Sequence, residues 1–150
     1  MIRAAKIQDI PEILYVLQEA IRACVPDHQS DESKIQAWLE KITHANLLLW
    51  MHYNDSWIYS INQHIVGFIM VSDIGKILLN YTLPEMQNQG IGTALLNSAT
   101  AHLKLRNLEQ ITLESTQTAL GFYQKQGFQV RTYALPEQQT IPMIKYLIAH

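Results

Sequence analysis

The chain predicts a mixed α/β (α+β) fold, and three observations carry that prediction. Apolar residues recur at helical spacing through the first fifty positions. Two β-rich runs with a hairpin signal follow from Trp57. Beyond Ile77 the order becomes strand, helix, strand, helix, strand, strand. A doubly wound dinucleotide fold is excluded, because the meander of hairpins precedes the first strand-to-helix turn that contains glycines. With 150 residues, 48% of them hydrophobic and 16% charged, the chain reads as one globular domain spanning 1–150. It contains no repeat and no linker-like tract.

Residues 2 to 7 predict a short strand. Asp9 is placed as an N-cap, with Pro11 in the first turn and Glu12 completing a capping box. Ile10, Ile13, Leu14, Leu17, Ile21 and Cys24 then form the apolar stripe of a helix to about residue 25, which Val25-Pro26-Asp27 breaks. Ser30 or Asp31 can cap a second helix carrying Ile35, Trp38, Leu39 and Ile42. Thr43 can cap a third, short and apolar, around Leu47 to Met51. The polar loop Asp27-His28-Gln29-Ser30-Asp31 is a place for specificity to reside.

Trp57 to Ile61 and Ile65 to Ser72 predict strands joined at Asn62-Gln63-His64. Asp73-Ile74-Gly75-Lys76 marks a turn, and Ile77 to Leu83 a strand. The next helix presents Ile91, Leu95, Ala99 and Leu103 on one side and ends near Arg106-Asn107. Gln110 to Glu114 reads as a strand and Thr116 to Gln126 as a helix, with Gly127 as its C-cap. Phe128 to Tyr133 and Met143 to Ile148 close the chain as strands, joined by a polar loop around Pro136 to Thr140.

The net charge of −2 argues against broad binding to nucleic acid or anionic membrane. One cysteine, Cys24, cannot form an internal disulfide and continues an apolar stripe, so it is expected in the core. Met1 to Lys6 lacks the apolar stretch of a signal peptide, and no apolar run reaches the length of a membrane span. A cytoplasmic location is expected. The six histidines show no metal-ligand spacing, so no metal is expected.

The densest chemical signal is Gln87-Asn88-Gln89-Gly90-Ile91-Gly92-Thr93, set between a strand and a helix. Two glycines one residue apart allow a tight turn and a close approach of backbone to ligand. A helix starting there aims unpaired N–H groups and the positive end of its dipole into the turn, which suits an anionic, phosphorylated ligand. No Gly-Lys-Ser/Thr ending follows, and the third glycine of a dinucleotide fingerprint is missing, so both of those phosphate loops are excluded.

A second block lies about thirty residues later: Leu113-Glu114-Ser115-Thr116, then Ala119 to Phe128. Together the two blocks resemble the GNAT superfamily of N-acetyltransferases. Gln87, Gly90 and Gly92 meet its Q/R-x-x-G-x-G/A pattern, while Phe122, Tyr123, Gly127 and Phe128 meet its F-Y-x-x-x-G-F signature. Val66-Gly67-Phe68 looks like the family's central hairpin, and Ile77 to Pro84 like its fourth strand. The resemblance is dense from about 57 to 130 and loose before residue 45. It implies a mostly antiparallel central sheet with splayed fourth and fifth strands, flanked by helices.

The resemblance also implies acetyl-coenzyme A as acetyl donor. Backbone amides of Gln89, Gly90, Ile91, Gly92 and Thr93, with Gln87 and Asn88, would cradle its pyrophosphate. Many relatives place Arg or Lys beside the first glycine, whereas Asn88 and Gln89 are neutral, leaving more of the anion binding to amides and dipole. The strand from Asn80 through Tyr81, Thr82 and Leu83 would run along the pantetheine arm, and Thr118 would touch the cofactor, although Ser115, Thr116 and Thr118 first suit helix capping. Tyr123 corresponds to the family's general acid, near the thioester sulfur; a phenol of pKa ~10 is protonated at neutral pH and can donate. The same tyrosine also fits a core aromatic pair with Phe122.

For a general base, the family's strand glutamate has no counterpart. Asn80 is the nearest polar residue and an amide takes no proton. Glu114 is the candidate replacement, with a structural hydrogen bond as its other use; Asp27, His28, Asp31, Glu32 or a bridging water are the alternatives. Acidic and aromatic residues at Asp27, Asp31, Glu32 and Trp38 would suit a small cationic amine acceptor. A protein N-terminus is the second acceptor class. The competing function is a non-catalytic module that binds a coenzyme A derivative as sensor or partner. An apolar edge strand at Met143 to Ile148 would allow a homodimer.

Overall fold

The computed structural model describes residues 1–23, 32–131 and 140–147. Expectations for Cys24 to Asp31, including the helix break, the polar loop, the Ser30 or Asp31 cap and the acceptor role of His28, lie outside these residues, as do Tyr133, Pro136 and Ile148. Seven strands form one sheet: β1 (Ile2–Ala4), β2 (Asp55–Ile61), β3 (His64–Val71), β4 (Lys76–Thr82), β5 (Gln110–Ser115), β6 (Gln129–Val130) and β7 (Ile141–Tyr146). Their spatial order is β1-β2-β3-β4-β5-β7-β6. Every neighbouring pair is antiparallel except β4 with β5, which is parallel. Among the described residues, five α-helices flank the sheet: α1 (Ile10–Ala23), α2 (Glu32–Leu39), α3 (His44–Tyr53), α4 (Ile91–Leu105) and α5 (Leu120–Lys125).

The predicted fold class stands, and local differences have local causes. Asp9 does not cap α1. It closes a 3-10 turn over Ile7–Asp9, where its carboxylate takes both guanidinium nitrogens of Arg3, at 2.8 and 2.9 Å, and the Lys6 N–H at 2.8 Å. The Arg3 hydrogen bonds hold that carboxyl below its ordinary pKa range. Glu12 likewise leaves the capping box and accepts the Ile65 N–H at 3.0 Å, pinning the β2–β3 hairpin to α1. Thr43 does cap α3, through a 3.1 Å bond from the Asn46 N–H. Asn62 and Gln63, at φ 51° and 68°, turn the hairpin with two left-handed residues, matching the twist of the strands they join.

α5 is shorter than the 116–126 expected. The Thr116 hydroxyl accepts the Ala119 N–H at 3.2 Å and closes a turn before the helix begins. At its other end, the Phe128 N–H reaches the Tyr123 carbonyl at 3.0 Å and the Gly127 N–H the Gln124 carbonyl at 3.1 Å, with Gly127 left-handed at φ 93°. That is a Schellman ending, which uses the glycine as anticipated. β7 starts earlier than expected and lies between β5 and β6. It is therefore not an edge strand and offers no free edge to a second copy; among the described residues the sheet's edges are β1 and β6.

β3 sits near the middle of the sheet and is buried from Ile65 to Val71, so both of its faces are covered. α4 covers one face. A Cβ placed on Gly67 would lie 2.9 Å from both Ile91 Cγ2 and Leu95 Cδ1, so only glycine lets this helix come so close. α1 packs over β3 and β4 as well, and α2 packs on α1. Because paired residues share a face and neighbours alternate, Gly67, Ile69, Asn80 and Thr82 face α4, while Phe68 and Tyr81 face the other way.

β4 carries a bulge. Met70 pairs with Leu79 but Val71 pairs with Ile77, which leaves Leu78 as an extra residue. Before the bulge, Lys76 and Ile77 pair with Thr112 and Leu113 of β5. After it, Leu79 to Thr82 keep β3, and Leu78 to Thr82 pair with no described residue on the β5 side. The extra residue changes which backbone groups point toward β5, so the parallel ladder cannot continue and the strands part. A wedge opens between them.

Candidate functional site

The wedge is a cleft of about 550 Å³. One wall is the freed half of β4. By alternation from the Leu83 N–H, which donates to the Val66 carbonyl at 2.8 Å, the amides and carbonyls of Asn80 and Thr82 point away from β3 into the cleft. The far wall is the end of β5 and the first turn of α5, including Leu113, Glu114, Thr116 and Phe122.

At one end lies the glycine turn. Asn88 and Gly90 are both left-handed, at φ 65° and 81°, on either side of Gln89. A Cβ on Gly90 would meet nothing within 4 Å, so its requirement for glycine is conformational, not steric. No side chain caps α4, and its first helical hydrogen bond runs from the Ala94 N–H to the Gly90 carbonyl at 3.0 Å. The N–H groups of Ile91, Gly92 and Thr93 thus stand free of helical acceptors at the positive end of the dipole. A left-handed residue followed by helical ones gathers such groups into a concavity for an anion. These residues fit a diphosphate.

At the wedge itself, Tyr123 is 6% exposed and its ring stands edge-on between Phe122, at 5.1 Å, and Phe128, at 5.6 Å. Its hydroxyl lies on the cleft wall and accepts a hydrogen bond from Asn80 Nδ2 at 3.1 Å. Burial pushes the phenol up to about 12, against the opposing pull of the Asn80 bond. The phenol is therefore a neutral proton donor throughout the physiological range. Core aromatic and cleft-facing hydroxyl prove to be one residue in both roles.

Most residues singled out in the sequence converge here. Tyr81, Thr82, Gln87, Asn88, Gly90, Ile91, Gly92, Thr93, Glu114, Thr118 and Tyr123 all line the cleft. Leu83 and Gln89 do not: Leu83 is buried with its N–H spent on β3, and Gln89 is exposed on the outside of the turn. Ser115 is buried and donates to the Thr116 carbonyl at 2.8 Å, a local turn contact. Trp38 meets Tyr81 edge-on at 6.2 Å on the α1 face, and Glu32 is exposed.

Glu114 and Tyr123 reach the cleft from opposite sides of the sheet. Ile77 shares the α4 face with Val71, and Leu113 and Ser115 continue that face on β5, beneath α5. Glu114 alternates to the face of Tyr81 and Trp38. It is the one carboxylate among the described lining residues.

Two polar wall residues were not anticipated. Lys125 is the one cation among the described lining residues, and Gln126 donates from Nε2 to the Thr93 hydroxyl at 3.1 Å, tying α5 to the glycine turn. Lys145 Nζ in turn holds the Gln126 carbonyl at 2.7 Å. The signal for them was spacing: Ala119, Phe122 and Lys125 recur every three residues, and Gln126 lies four beyond Phe122 and three beyond Tyr123. Asn80 was expected to lend its backbone to the pantetheine arm, and its side chain was noted as an amide where a base was sought. Among the described residues, no group of three or more His, Cys, Asp or Glu is placed to hold a metal ion, and no helix is long and apolar enough to cross a membrane.

Comparison with known proteins agrees with this geometry. The chain is 35% identical to the uncharacterized protein YxbD of Bacillus subtilis (strain 168) over a stretch covering 50% of this chain and 57% of that one, so the match spans little more than half of that relative. In structure it is similar to the PaiA N-acetyltransferase of Thermoplasma acidophilum, solved in complex with coenzyme A, with a TM-score of 0.88, 23% identity, and coverage of 97% of this chain and 98% of that one. It is also similar to the ribosomal-protein-S18-alanine N-acetyltransferase of Escherichia coli, with a TM-score of 0.75, 18% identity, and coverage of 100% and 95%. At these identities the structural likenesses establish the fold. The family profile described as "Acetyltransferase (GNAT) domain" matches residues 24–148, and the chain belongs to that family.

Proposed function

We propose that this protein is an acetyl-coenzyme A-dependent N-acetyltransferase that moves an acetyl group to the primary amine of a small molecule, by direct attack in a ternary complex. The observation that carries the reading is the Tyr123 hydroxyl: protonated, held by packing, and set on the cleft wall at the split between β4 and β5. Acetyl-coenzyme A, when bound, supplies a thioester whose carbonyl is open to an amine. The amides at the start of α4 bind the diphosphate, and the outward backbone groups of Asn80 and Thr82 align the amide-bearing arm. Tyr123 donates its proton to the departing sulfur. Glu114, from the other face, takes the proton that the attacking nitrogen must lose, directly or through one water. Acid and base thus approach from different faces, which suits a donor and an acceptor that enter from different faces. Tyr81, Trp38 and Glu114 give the acceptor side an aromatic and acidic character suited to a small cation.

Thiol release from acetyl-coenzyme A with a panel of aliphatic diamines, aromatic amines, amino acids and peptides tests this. Tyr123→Phe is expected to lower kcat by about 100-fold or more while coenzyme A still raises the melting temperature. Reaction with acidic or neutral acceptors alone would overturn the assigned amine class.

One observation favours a second reading: β4 presents Asn80, not a carboxylate, to the cleft. A module that binds a coenzyme A derivative without turnover would need no base. It predicts a melting shift with coenzyme A and negligible thiol release, unchanged by Tyr123→Phe.

A further inference from the structure

Asn80 makes a directional contact with Tyr123. Its Nδ2 donates to the Tyr123 oxygen at 3.1 Å. A phenol oxygen that accepts from one side must send its own proton elsewhere. The flanking Phe122 and Phe128 rings offer that proton no oxygen or nitrogen, and they hold the tyrosine ring from turning. The direction left is the cleft, which both Asn80 and Tyr123 line.

We propose that Asn80 is a positioning residue of the acetyl transfer: by donating to the Tyr123 oxygen it aims the hydroxyl proton at the departing sulfur and stabilises the phenolate that forms when the proton leaves. This rests on Tyr123 being the general acid. In the step concerned, the amine nitrogen bonds to the thioester carbonyl carbon and the C–S bond breaks with its electron pair on sulfur. The Tyr123 proton passes to that sulfur. The phenolate, still hydrogen-bonded by the Asn80 amide, is then reprotonated through solvent as Glu114 gives up the proton it took from the amine. No other reactant is required. An amide suits the post better than a carboxylate would. A carboxylate at position 80 would accept the phenol's proton, turn it out of the cleft and oppose the developing negative charge.

Asn80→Asp, of nearly the same shape, reverses the polarity of this single contact. With acetyl-coenzyme A and the best amine of the panel above, Asn80→Asp is expected to cut kcat by about 100-fold with KM for acetyl-coenzyme A within about threefold. Asn80→Ala, which removes the donor without adding charge, is expected to cost about tenfold in kcat, and it keeps the test decisive should the aspartate variant fail to fold. In a Tyr123→Phe background neither change should lower kcat further, because the group they act through is gone. Full additivity of the two substitutions, or near-native kcat in Asn80→Asp, would overturn the role of Asn80 while leaving Tyr123 as the acid. A Tyr123→Phe enzyme of unchanged kcat would overturn both.

Discussion

The two faces of the sheet at the wedge are built differently. On the α4 and α5 face, short bonds and close packing fix nearly every group: Gly67 admits α4, Gln126 ties Thr93, and Asn80 holds Tyr123. On the proposed function that face handles the donor, with much of the work falling to backbone amides. On the α1 and α2 face, the described groups are side chains from distant segments, namely Tyr81, Trp38 and Glu114, with few mutual bonds. A site of amides is a property of the fold, whereas a site of side chains is free to vary. The donor half is therefore generic and the acceptor half individual.

Three perturbations sharpen the contrast. The largest acts on the buried phenol. An unfolded tyrosine ionises near pH 10, while Tyr123 stays neutral to about 12. Its contribution to stability is intact below the unfolded value and is lost as pH rises through the folded one. Across that window the wild type should lose up to about 3 kcal/mol that Tyr123→Phe does not lose, measured by urea melts from pH 9 to 12. Identical pH profiles for the two proteins would show the hydroxyl to be less buried than described.

Next in size, Gly67→Ala forces a methyl against Ile91 and Leu95, two core residues that sit where α4 begins. A cost of about 1–3 kcal/mol is expected. The displaced helix start should also weaken coenzyme A in isothermal titration. Unaltered affinity would separate helix packing from anion binding. The smallest effect falls on the other face: Glu114→Gln should lower kcat/KM for the amine by about tenfold and leave coenzyme A affinity unchanged. A change in coenzyme A affinity instead would place Glu114 with the donor.

The same contrast explains what the sequence made legible. The glycine turn and the Tyr123 helix were readable because glycine spacing and helical periodicity are local signals. Asp9 and Glu12 were misplaced because partners from other segments, Arg3 and Ile65, outcompeted local capping, and the start of α5 because the Thr116 hydroxyl closes a separate turn before the helix. The position of β7 depends on sheet order, which adjacent residues do not encode. Asn80 could be recognised as an amide but not as the partner of a residue 43 positions away. Lys125 had a signal in its spacing from Phe122, which a helical projection would have exposed.

The bulge at Leu78 also has a metric consequence. From Leu78 to Thr82, β4 is a ladder with one free side. At roughly 3.3 Å per residue its four steps cover about 13 Å. The Tyr123 hydroxyl is bonded at Asn80, two residues before Thr82, so on the proposed function the free edge from Asn80 toward the anion concavity acts as a ruler. A thioester on an extended, amide-bearing arm of matching reach would seat its head group and its sulfur together. On that function, truncated thioesters of the same chemistry are expected to engage one end and miss the other, which makes donor selectivity a matter of length.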